Sequence, residues 1–337
     1  MENVGWSAKN SAFVIRDGKL VEVLRPMPNE SECGFIDAIS ATFNKFLLIG
    51  QTQFNKVDSN LDVIASMAEV IGDIFGFEQY GVVRSARFYE IAAEFGLCGQ
   101  AMIRVHVGGQ RDTVNLEVLG TGLLYARRGW ARQLHDFLVR VCGKLTRVDV
   151  AYDFRDGAGL LERVITAYND GFFNRGGQFP ALNLLGSDWF SKEQKVRKGR
   201  TVAIGSRKSS ARYIRVYEKG LQMGCEELES YVRFEVEFKS KGVEIPLDIL
   251  IRPTAYLREV ARDFIPEDEG ETAKVRRIRK EKVEVKKAME WLHKQCGKYL
   301  RFFYDFFSEF DIPLLDRLMA PEGKYPHRLA IQGSYLT

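Results

Sequence analysis

In residues 147–154 apolar and polar side chains alternate: Val148, Val150, Tyr152 and Phe154 fall on one face of an extended chain, and Arg147, Asp149, Ala151 and Asp153 on the other. The same period of two returns in residues 231–239, where Val232, Phe234, Val236 and Phe238 oppose Arg233, Glu235, Glu237 and Lys239. It appears again in residues 212–219, with Ile214, Val216 and Glu218 on one side and Tyr213, Arg215, Tyr217 and Lys219 on the other. Each segment reads as a strand with one face on a core and one turned away from it. Further strands are predicted at 35–41 and 201–206. Two or three more fall between Ser85 and Leu124, in runs broken by Gly108-Gly109, Asp112 and Gly120.

Helical spacing takes over elsewhere. Ile64, Met67, Ala68, Ile71, Ile74 and Phe75 predict a helix over 61–77 with a stop at Gly76-Phe77, and Trp130, Leu134, Phe137, Leu138 and Val141 predict another that ends near Gly143. Leu160, Leu161, Val164, Ile165 and Tyr168 give a third, and the chain turns helical again over 250–264 and 273–307. Strands and helices alternate without a strict β-α-β repeat, so the expected class is α+β: an antiparallel sheet backed by helices, with a helical C-terminal region. The expected division is a loosely held arm over 1–33, a main domain over 34–264 and a basic helical region over 265–337.

Composition adds limits. Of 337 residues 45% are hydrophobic and 28% charged, enough for a full core without staples. The five cysteines are scattered and never spaced as Cys-x-x-Cys, so neither a disulfide framework nor a zinc site is indicated. No leader pattern and no apolar stretch of membrane-spanning length stands out, and the expectation is a cytoplasmic protein. Forty-nine Lys and Arg against 45 Asp and Glu leave a net charge of +4, so any nucleic-acid partner must be met by local clusters. The densest runs from Lys274 through Arg276, Arg277, Arg279 and Lys280 to Lys286-Lys287; it reads either as a helix tracking a DNA backbone or as a solvated helix face.

If the three alternating strands are sheet neighbours, Asp149, Asp153, Glu235, Tyr217 and Lys219 converge on the uncovered side. Clustered carboxylates suit a hard divalent cation, Mg or Mn, which polarises a phosphodiester, and a tyrosine supplies a nucleophile. Lys219 is placed to assist the phenol, and Tyr213, on the same face, is the alternative nucleophile. Taken singly, each strand reads equally as a solvated sheet face with a packed tyrosine. The four histidines form no His-x-His pair, and His106 is held only as a reserve ligand. Gly205-Ser206-Arg207-Lys208-Ser209-Ser210 could offer amides, hydroxyls and the Arg207 cation to DNA phosphates, or could be a polar turn.

These segments resemble the replication initiation factor family, the trans-acting Rep proteins of small rolling-circle plasmids and filamentous phages. Arg147-Val148-Asp149-Val150-Ala151-Tyr152-Asp153 matches its R-x-D-x-A-x-D strand. Gly205-Ser206-Arg207-x-Ser209 and Arg215-Val216-Tyr217-Glu218-Lys219-Gly220 resemble its G-S-R-x-S and R-x-Y-x-K blocks, and Arg233-Phe234-Glu235-Val236-Glu237 its R-x-E-x-E strand. The wording of residues 215–222, 231–239 and 243–246 lies closer to the filamentous-phage members. The resemblance spans about residues 34–264 and implies a rearranged rolling-circle nicking-endonuclease fold. It implies an enzyme that nicks an origin with Tyr217, holds a divalent metal with Asp149 and Glu235, and uses Lys219 at the nucleophile or phosphate. Asp153 would be a ligand or an orienter; apart from the resemblance, Arg207, Ser209 and Arg215 are candidates for contact with DNA. Implied partners are origin DNA, single-stranded DNA, a host helicase and polymerase, and possible homodimerisation. A mobilisation relaxase and a non-catalytic DNA-binding regulator are the competing readings.

Overall fold

A computed structural model describes residues 11–29, 31–53, 57–85, 88–109, 112–174, 177–189, 197–265, 271–277 and 280–308. The chain starts with a hairpin, β1 (Ser11–Arg16) and β2 (Lys19–Leu24), closed by Asp17 and Gly18 at φ 48° and 73°. A two-residue turn with both φ values positive matches the twist of the strands it joins, and Asp-Gly is suited to it. The arm expected over 1–33 is thus an ordered hairpin, and side chains pin it to the main body. The Phe13 ring meets Tyr231 edge-on at 5.4 Å, Arg155 pairs with Glu22, and Arg25 Nη2 lies 3.0 Å from Asp153.

Ten strands form one sheet. In chain order they are β3 (Phe35–Asn44), β4 (Glu78–Arg84), β5 (Ile91–Leu97), β6 (Gln100–Val107), β7 (Thr113–Val118), β8 (Lys144–Phe154), β9 (Leu182–Leu185), β10 (Thr201–Ile204), β11 (Arg212–Glu218) and β12 (Val232–Lys239). Their spatial order is β4-β5-β6-β7-β3-β8-β12-β11-β10-β9, and every described pair is antiparallel. The α+β expectation holds.

One face of the sheet is the core. Val148 and Val150 of β8, Phe234, Val236 and Phe238 of β12, and Val216 of β11 are at most 1% exposed, as the two-residue period requires. Over this face lie α1 (Asn60–Phe75), α2 (Gly120–Tyr125), α3 (Trp130–Arg140), α4 (Leu160–Asn169) and, after the one-turn α5 (Lys219–Gln222), α6 (Pro253–Ala261). Ser59 and Asp62 cap α1 reciprocally, and Gly76, at φ 81°, ends it as its sequence predicts.

Two compact units divide at Arg276, later than the boundary expected after 264. Ala273 and Val275 still pack on the core, and the Ala273 amide donates to the Ala255 carbonyl at 3.0 Å, which keeps this segment with the first unit. The second unit contains α7 (Lys280–Ser308), which starts later than the 273 expected for it. No described helix is long and apolar enough to cross a membrane.

Candidate active site

The order β8-β12-β11 makes the three alternating strands direct neighbours. Across β8 and β12 the register sets Asp149 opposite Glu237, Ala151 opposite Glu235 and Asp153 opposite Arg233. Across β12 and β11 it sets Glu235 opposite Arg215, Arg233 opposite Tyr217 and Glu237 opposite Tyr213. With Val148, Val150, Phe234 and Phe238 committed to the core, the charged residues and both tyrosines share the other face. Alternation alone carries this placement.

Tyr217 is 5% exposed, and its hydroxyl donates to Glu235 Oε2 at 3.0 Å. Arg215 donates to the other oxygen of Glu235. Burial pushes the Tyr217 phenol well above its ordinary value; Arg233 pulls it back, while Glu235 and Asp37 push it up again. Lys219, at the start of α5, has its Nζ 5.8 Å from the Tyr217 ring and donates to Gln222 Oε1 at 3.2 Å. Burial, then the neighbouring Arg233, lower the ammonium from its usual value. Tyr213 lies opposite Glu237, with Lys239 Nζ 5.7 Å from its ring.

Three buried carboxylates sit beneath a layer of cations. Arg147 Nε donates to Asp149 Oδ1 at 2.8 Å, and Glu237 is met by Lys239 at 2.9 Å and by Arg147 and Arg207 at 3.4 Å. Burial pushes the Asp149 carboxyl up to about 7, against the pull of Arg147, and Glu235 and Glu237 add to the rise. Asp153 belongs to a different cluster. Its oxygens accept from Arg233 Nε at 2.6 Å, Tyr231 Oη at 2.6 Å and Arg25 Nη2 at 3.0 Å, while Arg233 also reaches Asp37 at 2.8 Å. Burial acts to raise this carboxyl, but Arg233, Arg25 and Tyr231 outweigh it and hold it well below the usual range. Asp153 is therefore placed as an anchor for the buried Arg233 beside Tyr217.

The donor set has the right chemistry for a hard divalent cation, since carboxylate oxygens are its preferred ligands. Its arrangement would fit one only if the side chains that hold these oxygens moved away. Among the described residues no three His, Cys, Asp or Glu side chains converge as a cation site. The oxygens of Asp149 are held by Arg147, and those of Glu235 by Arg215 and Tyr217.

Of the other sequence candidates, Arg207 and Arg215 reach the cluster. Ser209 is exposed in the β10–β11 loop with its amide bonded to Ser206 Oγ at 3.2 Å. His106 is buried on β6, three strands from β8, where Ser85 Oγ lies 2.9 Å from its Nδ1. Arg279 lies outside the described residues, as do the side chains of Arg276, Arg277 and Lys280. The sequence reading gave no role to Arg147, Arg233, Glu237 or Asp37. The first three had a signal, an ionisable residue two positions from an opposite charge or a carboxylate on the same strand face. Asp37 had none, because the register shift between Ile36 and Ala38 is what aims it at Arg233.

Comparison with known proteins agrees with these three strands: the replication initiation factor family matches residues 143–319, just over half of the chain. The chain belongs to this family. The match takes in β8 through β12, and so both tyrosines and every carboxylate above except Asp37. A rolling circle replication initiator protein from Geobacillus stearothermophilus is similar in structure, with a TM-score of 0.45 and 20% identity over 69% of this chain and 80% of that one. Nothing matches among curated proteins. As a member of the replication initiation factor family, the protein acts in starting DNA replication.

Proposed function

We propose that the protein starts rolling-circle replication by cutting one strand of an origin with Tyr217 and remaining bonded to the new 5′ end. The observation that carries this is the hydrogen bond from the Tyr217 hydroxyl to Glu235 Oε2, at 3.0 Å, in a pocket of cations. A buried phenol needs an acceptor for its proton at the moment of attack, and Glu235 is already in hydrogen-bond contact. As Tyr217 Oη bonds to phosphorus, its proton passes to Glu235, and the bond to the 3′ oxygen of the departing nucleotide breaks. That oxygen takes up a proton to become a free 3′ hydroxyl, a primer for a host polymerase working behind a host helicase. Attack by a 3′ hydroxyl on the phosphotyrosine reverses the step and rejoins the strand.

Arg215 is partly exposed and Lys219 lies against the Tyr217 ring, so both are in reach of the incoming phosphate. In this reading Arg215 leaves Glu235 for the phosphate, which opens the way to the phenol and frees its acceptor. A divalent Mg or Mn, implied by family resemblance, would neutralise charge on the scissile phosphate. Asp149 and Glu235 would hold it only once Arg147 and Arg215 had moved, and Asp153, tied to Arg233, would not take part. Nicking by Asp149→Ala should then need more manganese than nicking by the parent protein, and an unchanged metal titration would remove the cation from the account.

The direct test uses supercoiled DNA that carries the origin. Tyr217→Phe should leave it closed while still binding it, since the phenol oxygen contributes little to phosphate affinity. Tyr213→Phe should nick normally. Full nicking by Tyr217→Phe would exclude Tyr217 as the nucleophile.

A further inference from the structure

A cavity of about 320 Å³ opens on the helical side of the sheet, away from Tyr217, and its lining is cationic and aromatic. Arg212, the first residue of β11, forms part of its wall and points to the core side of the strand. Five residues further along, Tyr217 points the opposite way, roughly 17 Å distant along the strand at about 3.3 Å per residue. Arg258 and Arg262 come from one face of α6 and its end, and Lys274 from the segment that follows.

Charge in this cavity is unbalanced. Glu259 is the one carboxylate on its wall; it pairs with Arg212 at 2.5 Å and lies 3.9 Å from Lys274. Four cations thus face one anion, and Arg258 has no carboxylate partner among the described residues. The side chains of Arg262 and Lys274 are 76% and 74% exposed, and their pairs, Arg262 with Asp263 at 3.5 Å and Lys274 with Glu259 at 3.9 Å, are long and solvated, so both can turn to a ligand. Beside them the half-buried ring of Phe172 is braced edge-on by Phe173 at 4.9 Å and Phe264 at 5.7 Å, with the Arg262 guanidinium 6.0 Å from it. The wall also holds Asn174, whose Oδ1 is buried with no hydrogen-bond partner among the described residues. A buried acceptor left unsatisfied is costly and calls for a donor.

Three features ask for one ligand: an excess of cations, Arg258 unpaired among them, for a phosphate, a braced ring for a flat group, and an orphaned acceptor for an N–H. We propose that this cavity binds a nucleotide unit of single-stranded DNA, separate from the segment that reaches Tyr217. Arg258, Arg262 and Lys274 hold its phosphate, Phe172 stacks on its base, and Asn174 Oδ1 accepts from a base amine. The choice of DNA as the source of the nucleotide rests on the function proposed above; the pocket chemistry does not.

The test uses the full-length Tyr217→Phe protein, so that cleavage cannot interfere and a failure of the tyrosine chemistry leaves the measurement intact. Binding of a fluorescent single-stranded oligonucleotide is followed against salt. Arg258→Ala/Arg262→Ala should lose affinity about tenfold or more, and its log–log salt slope should flatten by about 0.7, the share of the one phosphate these side chains hold. The Lys/Lys version should keep most of both. If the double variant melts at a lower temperature than its parent, the exposed Lys274→Ala is used instead and should lower affinity several-fold and flatten the slope in the same direction, by less than about 0.7. Unchanged affinity and slope would overturn the proposal. So would saturation of the cavity by free deoxynucleoside monophosphate with oligonucleotide binding unaltered, which would make it a mononucleotide site. Competition by inorganic phosphate that is weak beside the oligonucleotide supports the proposal; competition as strong as the oligonucleotide's own binding would reduce it to an anion site.

Discussion

Among single residues, strand cleavage turns on where the proton of Tyr217 goes. Burial makes free phenolate scarcer than in an exposed tyrosine, whose pKa is about 10. If attack waited for that phenolate, the rate of adduct formation would climb tenfold per pH unit from pH 6 to 9. If the proton passes to Glu235 during attack, the rate should level off above about pH 8, once Asp149 has ionised. Glu235→Gln should then slow adduct formation by about 100-fold or more and restore the steep rise, and rate measurements on both proteins against pH check this. A profile still climbing tenfold per unit between pH 8 and 9 in the unsubstituted protein would show that Glu235 is not the acceptor. Tyr217, Glu235 and Asp149 could all be put on one strand face from the sequence, because alternation specifies the face. What alternation could not give was the pairing across strands. That pairing gives Arg215 to Glu235, and it ties Asp153 to Arg233 instead of to a cation site.

At the scale of elements, the turn after β11 fixes the position of Lys219. A Cβ added to Gly220 would lie 1.9 Å from the Leu228 carbonyl oxygen, so the glycine is there for close backbone approach. Gly220→Ala should lower stability by about 1–3 kcal/mol, read as a drop in melting temperature, by forcing α5 away from residues 226–228. Nicking should fall further than the stability loss explains, because Lys219 moves with it. Elements with long periodic stretches were legible in the sequence: β8, β11, β12, α1 and α3 all lie where the spacing predicts. The elements that escaped had little buried area to impose a pattern. Strand β9 has four residues, mostly exposed, and the β1–β2 hairpin buries only its start, although Asp17-Gly18 was a readable turn signal.

For the molecule as a whole, the sheet keeps its apolar side for the helices and its chemistry for the other side, and that division follows from the sequence. The boundary at Arg276 was not legible, since the packing of Ala273 and Val275 on the core depends on contacts distant in the chain. The central claim is a covalent one: a side-chain nucleophile leaves one DNA end on the protein and the other free, whereas hydrolysis releases both. The most direct measurement is denaturing electrophoresis of the protein after reaction with an origin oligonucleotide labelled on either side of the nick. A label 3′ of the nick should migrate with the protein and, after proteolysis, be found by mass spectrometry on the peptide containing Tyr217. A label 5′ of the nick should run as free DNA. Cleavage without an adduct under either label would contradict the account and make the protein a hydrolytic nuclease.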